Sequence, residues 1–303
     1  MSFSSDVKNE LARCEIQTKC CSRAELLGII SFCGTYKPSP EEVLTVKTEN
    51  AAVARRVFSL IKKLFGENIT INQTKKKSRG STFSIELTDS LLFKVLTETG
   101  LNKDGIVKFV VDPFLVQDEC CARSFLRGAF LGGGSVNSPE KSYHLEIETH
   151  YFGLSQSLTE IMNAALFGAK TIVRKSNYVT YIKDSEKISD ILAAMGATDS
   201  MLELCNIKIM KDMKNSVNRR VNCETANVVK TASAAMHQTM SIKKIIDKKG
   251  IESLPDGLKE LALLRLENPE ASLSELTSML KTPISRSGVN HRFKKLMQIA
   301  DSL

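Results

Sequence analysis

The first two-thirds of the chain repeats itself, and this duplication restricts the fold more than any other feature. The run CCSRAELLGIISFCGTY at 20–36 is followed by EVLTVKTEN, and CCARSFLRGAFLGGGSV at 120–136 is followed by YHLEIETHY. Cys20, Cys21, Arg23 and Gly28 recur as Cys120, Cys121, Arg123 and Gly128, and Phe65-Gly66 recurs as Phe167-Gly168. Several matches in the same order mark two copies of one structural unit. At roughly 100–200 residues per domain, the 303 residues correspond to two or three domains.

Each copy has the same pattern. Its first helix is apolar on more than one face (Leu26, Leu27, Ile29, Ile30, Phe32; then Phe125, Leu126, Ala129, Phe130, Leu131), as in a buried helix. A strand follows, with Leu44, Val46 and Thr48 in one copy and Leu145, Ile147 and Thr149 in the other. Next come an amphipathic helix expected to end at Gly, a two-stranded hairpin (68–77 with 82–88; 169–176 with 177–183), and a short helix also stopped by Gly. An extra strand is expected around 106–111, feeding the second copy. The lone strands need sheet partners, so the fold class is α+β: two αββαββα units related by a pseudo-twofold axis, over about 20–100 and 120–197 of a domain covering 1–200. Gly28, Gly128, Ala129, Gly132 and Gly133 let the two first helices approach backbone to backbone. The sheets would then form a saddle lined by Lys75, Lys76, Lys77, Arg79, Arg174 and Lys175, although the KKKSR run also fits a solvated hairpin tip.

The helices LLGIISFCG and LRGAFLGGG resemble the LAGLIDADG motif of homing endonucleases, and the duplicated unit matches that fold. The resemblance implies an acidic metal ligand at the end of each helix, where two-metal hydrolysis needs carboxylates. The matching positions are Cys33 and Gly133, and Glu25 and Glu119 lie near the wrong ends to substitute. Nuclease activity is therefore expected to be absent. The eight cysteines include no CxxC pair. Cys20-Cys21 and Cys120-Cys121, as adjacent pairs, read as small buried hydrophobes rather than zinc ligands. No metal and no cofactor is expected.

The net charge is +8 with a pI of about 9.0, a balance that favours polyanions. Aromatics make up 6% and Trp is absent, so single-strand binding by base stacking is poorly supplied. The N-terminal run has no signal pattern, and no apolar run approaches the ~20 residues that span a bilayer. A cytoplasmic, nucleoid-associated protein with no membrane partner and no small-molecule substrate is expected. Residues 205–250 carry ten basic residues against three acids. Their pattern is helical rather than that of a loose linker, and Arg219 and Arg220 within this 201–250 linker are candidate phosphate contacts.

The most informative segment is 251–303. Pro255-Asp256-Gly257 opens a helix ended by Asn268-Pro269, and Ser272 with Glu275 forms a capping box for a second. After the turn Lys281-Thr282-Pro283-Ile284, a third helix starts near Ser285. Three short helices in this order fit a DNA-binding helix-turn-helix. In the third, Val289, Phe293, Leu296 and Ala300 form the buried stripe. Arg286, Asn290 and Lys294 occupy another face, beside Ser287 and His291. From Lys281 to Ala300 there are five basic residues and no acid. Arg can clamp guanine and Asn adenine in the major groove, while Arg292, Lys294 and Lys295 suit phosphate.

The degenerate repeat, the NRRVNCETANVVKT segment and LPDGLKELALLRLENPEASLSEL…SRSGVNHR together resemble the bacterial WhiA family across essentially the whole chain. The resemblance implies a DNA-binding regulator linked to cell division and chromosome segregation, and to sporulation in some relatives. The expected partner is double-stranded DNA at promoter or operator sites, with protein partners on the duplicated domain. Two other readings stay open: a nucleoid or division factor acting through protein partners, and a metal-dependent nuclease.

Overall fold

The computed structural model describes residues 2–16, 18–76, 80–103 and 105–303. The expectations for Lys77 and Arg79 lie outside the described residues. Helix α1 (Phe3–Leu11) precedes the first copy: α2 (Lys19–Cys33), β1 (Gly34–Lys37), β2 (Val43–Thr48), α3 (Ala51–Phe65), β3 (Asn72–Lys76), β4 (Gly80–Leu87) and α4 (Asp89–Glu98). A two-residue ladder of β5 (Asn102–Lys103) and β6 (Ile106–Val107) and a 3-10 turn at Pro113–Val116 follow. The second copy is α5 (Glu119–Gly133), β7 (Gly134–Val136), β8 (Leu145–Thr149), α6 (Phe152–Ala164), β9 (Lys170–Arg174), β10 (Asn177–Ile182) and α7 (Ser185–Met195). Helix α8 (Thr198–Lys249), a 3-10 turn at Ile251–Ser253, α9 (Asp256–Glu267), α10 (Leu273–Met279) and α11 (Arg286–Asp301) complete the chain.

Both copies are αββαββα, with matching antiparallel sheets ordered β1-β2-β4-β3 and β7-β8-β10-β9. The extra strand is not at 106–111. It follows each first helix directly, because Gly34 and Gly134 close α2 and α5 in an extended conformation that continues as β1 and β7. Residues 106–107 pair only with 102–103, while Phe109 and Val111 pack into the core without ladder bonds. Gly66 and Gly196 stop α3 and α7 with left-handed φ of 74° and 101°, as their positions predict. Helix α6 ends earlier than expected, at Ala164, and Leu166 rather than Gly168 takes the first left-handed step.

Strand alternation directs Leu44 and Val46 of β2, and Leu145 and Ile147 of β8, onto a core centred on α2 and α5. These two helices are apolar on nearly every side because each is enclosed by its own sheet and by the other helix. A Cβ on Gly28 would stand 2.5 Å from the Phe125 carbonyl oxygen, and one on Gly128 would collide with the Glu25 carbonyl. The glycines thus set the backbone approach. The same packing brings the two cysteine pairs together. Each pair alone cannot surround an ion, but α2 and α5 bring both together, and the Sγ atoms of Cys20, Cys21, Cys120 and Cys121 all lie within 4.8 Å of one another.

The chain divides into two compact units, Met1–Met210 and Lys211–Leu303. The segment 201–250 forms part of the single helix α8. Leu204 of this helix belongs to the first core, and Ile242 and Ile245 to the second.

Candidate nucleic-acid interface

The second unit is organised around the short helices that follow α8. Ser272 caps α10 by accepting from the Glu275 N–H at 3.2 Å, and Glu275 Oε2 accepts from the Ser272 N–H at 2.6 Å. That backbone hydrogen bond, with one from the Ser272 side chain, holds the Glu275 carboxyl below the usual carboxylate range. The Lys281 N–H donates to Glu260 Oε1 at 2.8 Å, tying the turn after α10 to α9. Ser285 then caps α11, accepting from the Gly288 N–H at 3.2 Å. Each cap satisfies backbone donors that a helix start leaves unpaired.

Val289, Phe293, Leu296 and Ala300 all face the core, packed with Leu261, Leu276 and Leu280 and with Ile242 and Ile245. This seating fixes the rotation of α11 about its axis. Arg286, Ser287, Asn290, His291, Lys294 and Lys295 are therefore exposed, as is Lys281 in the turn. Arg286 is the first residue of the helix and Asn290 lies one turn on. The N-terminal part of a recognition helix is the part that reaches base edges. Arg286, Asn290, Lys294 and Lys295 have no hydrogen-bond or ion-pair partner among the described residues.

Two of the candidate residues have structural duties. Ser285 Oγ is engaged by the cap and by Ser287 Oγ at 2.7 Å. Arg292 is half-buried, and its Nη1 donates to the Gly257 carbonyl at 3.1 Å, joining α11 to the start of α9. Its position in the basic run concealed this role. Arg219 and Arg220 are exposed, consecutive residues on α8.

Sequence reasoning missed Arg265. Its side chain is 1% exposed. Nη1 donates to the carbonyls of Ala271 at 2.6 Å, Asn268 at 3.3 Å and Pro269 at 3.4 Å, and the guanidinium lies 5.2 Å from the Phe293 ring centroid. Burial pulls its pKa below the ordinary arginine value, a cost offset by the three carbonyls and the ring. The available signal was spacing: Arg265 lies three and four residues beyond the buried Ala262 and Leu261, on their face.

The first unit departs from the expected basic saddle. Strand pairing places Glu146 and Glu148 of β8 on the sheet face opposite the core, beside Tyr181 and Val179 of β10. Arg174 of β9 is committed to that face, donating to Glu146 Oε2 and Oε1, each at 3.1 Å. The Arg174 guanidinium is thus neutralised rather than presented to phosphate. Burial raises the Glu146 pKa, but hydrogen bonds from Arg174 and His144 outweigh this and leave it below the usual range. Lys75, on the edge strand β3, is exposed.

At the ends of α2 and α5, where the homing-endonuclease pattern has carboxylates, no cluster of metal-ligating side chains is found among the described residues. The Cys33 thiol donates to the Ile29 carbonyl at 3.1 Å, and burial pushes its pKa up to about 12, against a small opposing pull from Lys8. A side chain at Gly133 would meet the Glu148 carbonyl at 2.6 Å. Lys8 packs nearby, its Nζ 5.9 Å from the centroid of Phe130.

A duplicated LAGLIDADG-like domain without acids at Cys33 and Gly133, followed by a capped helix-turn-helix, defines a class of protein: a LAGLIDADG-like scaffold joined to a DNA-binding module. Family models agree, matching 19–102 as the WhiA N-terminal LAGLIDADG-like domain, 122–214 as the WhiA LAGLIDADG-like domain and 217–300 as the WhiA C-terminal HTH domain. The "Probable cell division protein WhiA" of Staphylococcus carnosus is 48% identical over all of this chain and 98% of its own length. That of Alkaliphilus metalliredigens is 44% identical, covering 99% and 98%. The crystal structure of full-length DUF199/WhiA from Thermotoga maritima aligns over 100% of this chain and 99% of its own, at 28% identity and a TM-score of 0.62. The chain belongs to the WhiA family. No described helix is long and apolar enough to cross a membrane.

Proposed function

We propose that this protein binds double-stranded DNA sequence-specifically through α11, as a transcriptional regulator of cell division and chromosome segregation, and does not cleave DNA. The observation that carries this reading is the division of α11. Val289, Phe293, Leu296 and Ala300 fix the helix on the core, so Arg286, Asn290, Lys294 and Lys295 face solvent with no acid among them. Arg286 and Asn290 read bases, and Lys294, Lys295 and Lys281 hold phosphate. Ser285, Ser287 and His291 line the entry to the groove, while Arg219 and Arg220 add phosphate contacts from α8. Arg292 serves mainly to hold α11 on α9.

The cell-division role is supported by the names of the relatives. The absence of cleavage is supported by Cys33, a thiol where the pattern needs a carboxylate, and by the lack of room for a side chain at Gly133. The first unit suits a protein partner better than a duplex, because Glu146 and Glu148 occupy the open sheet face and neutralise Arg174. The test is to map bound chromosomal sites beside expression changes, with a Mg²⁺ and Mn²⁺ cleavage assay on the bound sites. Discrete promoter sites with altered transcripts and intact DNA are expected. Promoter sites without expression change would favour the division-factor reading, and metal-dependent cutting would overturn the non-nuclease assignment.

A further inference from the structure

The four cysteines at the start of the two central helices take no part in the proposed DNA contacts, and their placement is specific. Cys20 and Cys21 are the second and third residues of α2, and Cys120 and Cys121 are the second and third residues of α5. The duplication therefore presents the same pair twice, and the close approach of α2 and α5 brings all four Sγ atoms within 4.8 Å of one another. We propose that Cys20, Cys21, Cys120 and Cys121 together bind one thiophilic, tetrahedral divalent ion of the zinc class, clamping the two copies at this end of the helix pair.

The geometry suits a single ion. Zinc–thiolate bonds of about 2.3 Å place the sulfurs of a regular tetrahedron about 3.8 Å apart, so the observed spacing needs only a small contraction. Four thiolates select zinc over magnesium, calcium or manganese, which prefer oxygen. The residues sit in the first turns of two helices, whose positive dipole ends favour anionic groups once the metal displaces the thiol protons. Thr18 Oγ1 lies 3.3 Å from Cys20 Sγ and also accepts from the Cys21 N–H at 3.3 Å, orienting the first pair. Ser124 Oγ donates to the Cys120 carbonyl at 2.8 Å and braces the second. Cys21 and Cys121 are buried while Cys20 and Cys120 are exposed, giving a closed inner half and a route of entry. All four sites are filled by protein, so the ion is structural and leaves no position for substrate. The centre lies at the opposite ends of these helices from Cys33 and Gly133, so it does not restore a nuclease site.

The test uses the full chain, purified without chelator and under reducing conditions. Metal analysis should find about one zinc per chain. The apo protein titrated anaerobically with Co²⁺ should develop the visible bands of tetrahedral cobalt–thiolate, saturating at about one equivalent and displaced by Zn²⁺. The double variant Cys20→Ser/Cys120→Ser, altered only at the exposed pair, should lose both signals while keeping its circular dichroism. Because the cobalt spectrum is read on the unaltered chain, the result does not depend on the variant folding. The proposal is overturned by less than about 0.1 equivalent of bound metal after reconstitution. Iron with sulfide in place of zinc, disulfides linking these residues in the freshly isolated protein, or a cobalt spectrum unchanged in the variant would each overturn it as well.

Discussion

Glu25 of α2 and Arg127 of α5 meet across the boundary between the two copies, with the Arg127 Nε 3.0 Å from Glu25 Oε2. The Glu25 carboxylate is fully buried and also receives Arg56 Nε of α3 at 2.6 Å. One carboxylate thus holds two guanidinium groups, one from each copy. Removing it would leave two cations in a dry interior. Glu25→Gln is expected to destabilise the protein by about 3–5 kcal/mol, read by urea unfolding. A loss below about 1 kcal/mol would mean that the interior admits water or relaxes around the pair.

The helix approach that joins the copies should also be sensitive to one methyl group. Gly128 faces the Glu25 carbonyl and Gly28 the Phe125 carbonyl, both backbone atoms that cannot swing aside. Gly128→Ala is expected to cost about 2–3 kcal/mol by overpacking. Thermal unfolding of the single variants checks this, and unchanged melting would show that the helices can separate without penalty.

Arg265 should resist even a charge-conserving change. A single nitrogen, Nη1, gathers three carbonyls of the turn between α9 and α10, while the guanidinium plane lies over Phe293. A lysine ammonium has three donors but no flat face to lie over the Phe293 ring. Arg265→Lys is expected to lose about 2–3 kcal/mol and to weaken DNA binding by loosening the seat of α11. Equal stability of the two proteins would remove the clamp from the account.

The Glu146–Arg174–His144 cluster gives a pH-dependent signature. The Glu146 carboxyl is depressed because the hydrogen bonds from Arg174 and His144 outweigh the upward push of burial. For a depressed acid, the unfolded chain takes up the proton first as pH falls. The stabilisation is therefore present above the unfolded carboxylate value of about 4.3 and is lost as pH falls through the folded one. The stability difference between wild type and Glu146→Gln should thus be largest near neutrality and shrink below about pH 4. A difference constant over that range would show that the cluster contributes no charge-dependent stability.

Periodic features were readable from the residues alone. The repeat of Cys20-Cys21 and Gly28 located both central helices, the Ser272/Glu275 box located α10, and the spacing of Val289, Phe293, Leu296 and Ala300 oriented α11. All are local patterns, set by helix geometry within a few residues. The features not legible depend on distant partners. Arg174 looked like a free saddle cation until β9 paired with β10 and brought it beside Glu146. Arg292 reads as a phosphate contact in the basic run, and its bond to the Gly257 carbonyl depends on a partner 35 residues away. The cysteine pairs looked unable to share an ion because each was considered within its own helix, whereas the symmetry of the duplication is what joins them.

The most direct test of the central claim is a comparison of affinity for a selected site and for random duplex, measured with the full chain across salt concentrations. Wild type, Arg286→Ala, Asn290→Ala and Lys294→Ala should be compared. Arg286→Ala and Asn290→Ala should each lose about 1–3 kcal/mol of discrimination while binding random duplex nearly as well as wild type. Lys294→Ala should weaken both duplexes alike and lower the salt slope by about one. Equal losses on both duplexes for all three variants, or unchanged discrimination in the first two, would contradict the assignment of base reading to α11.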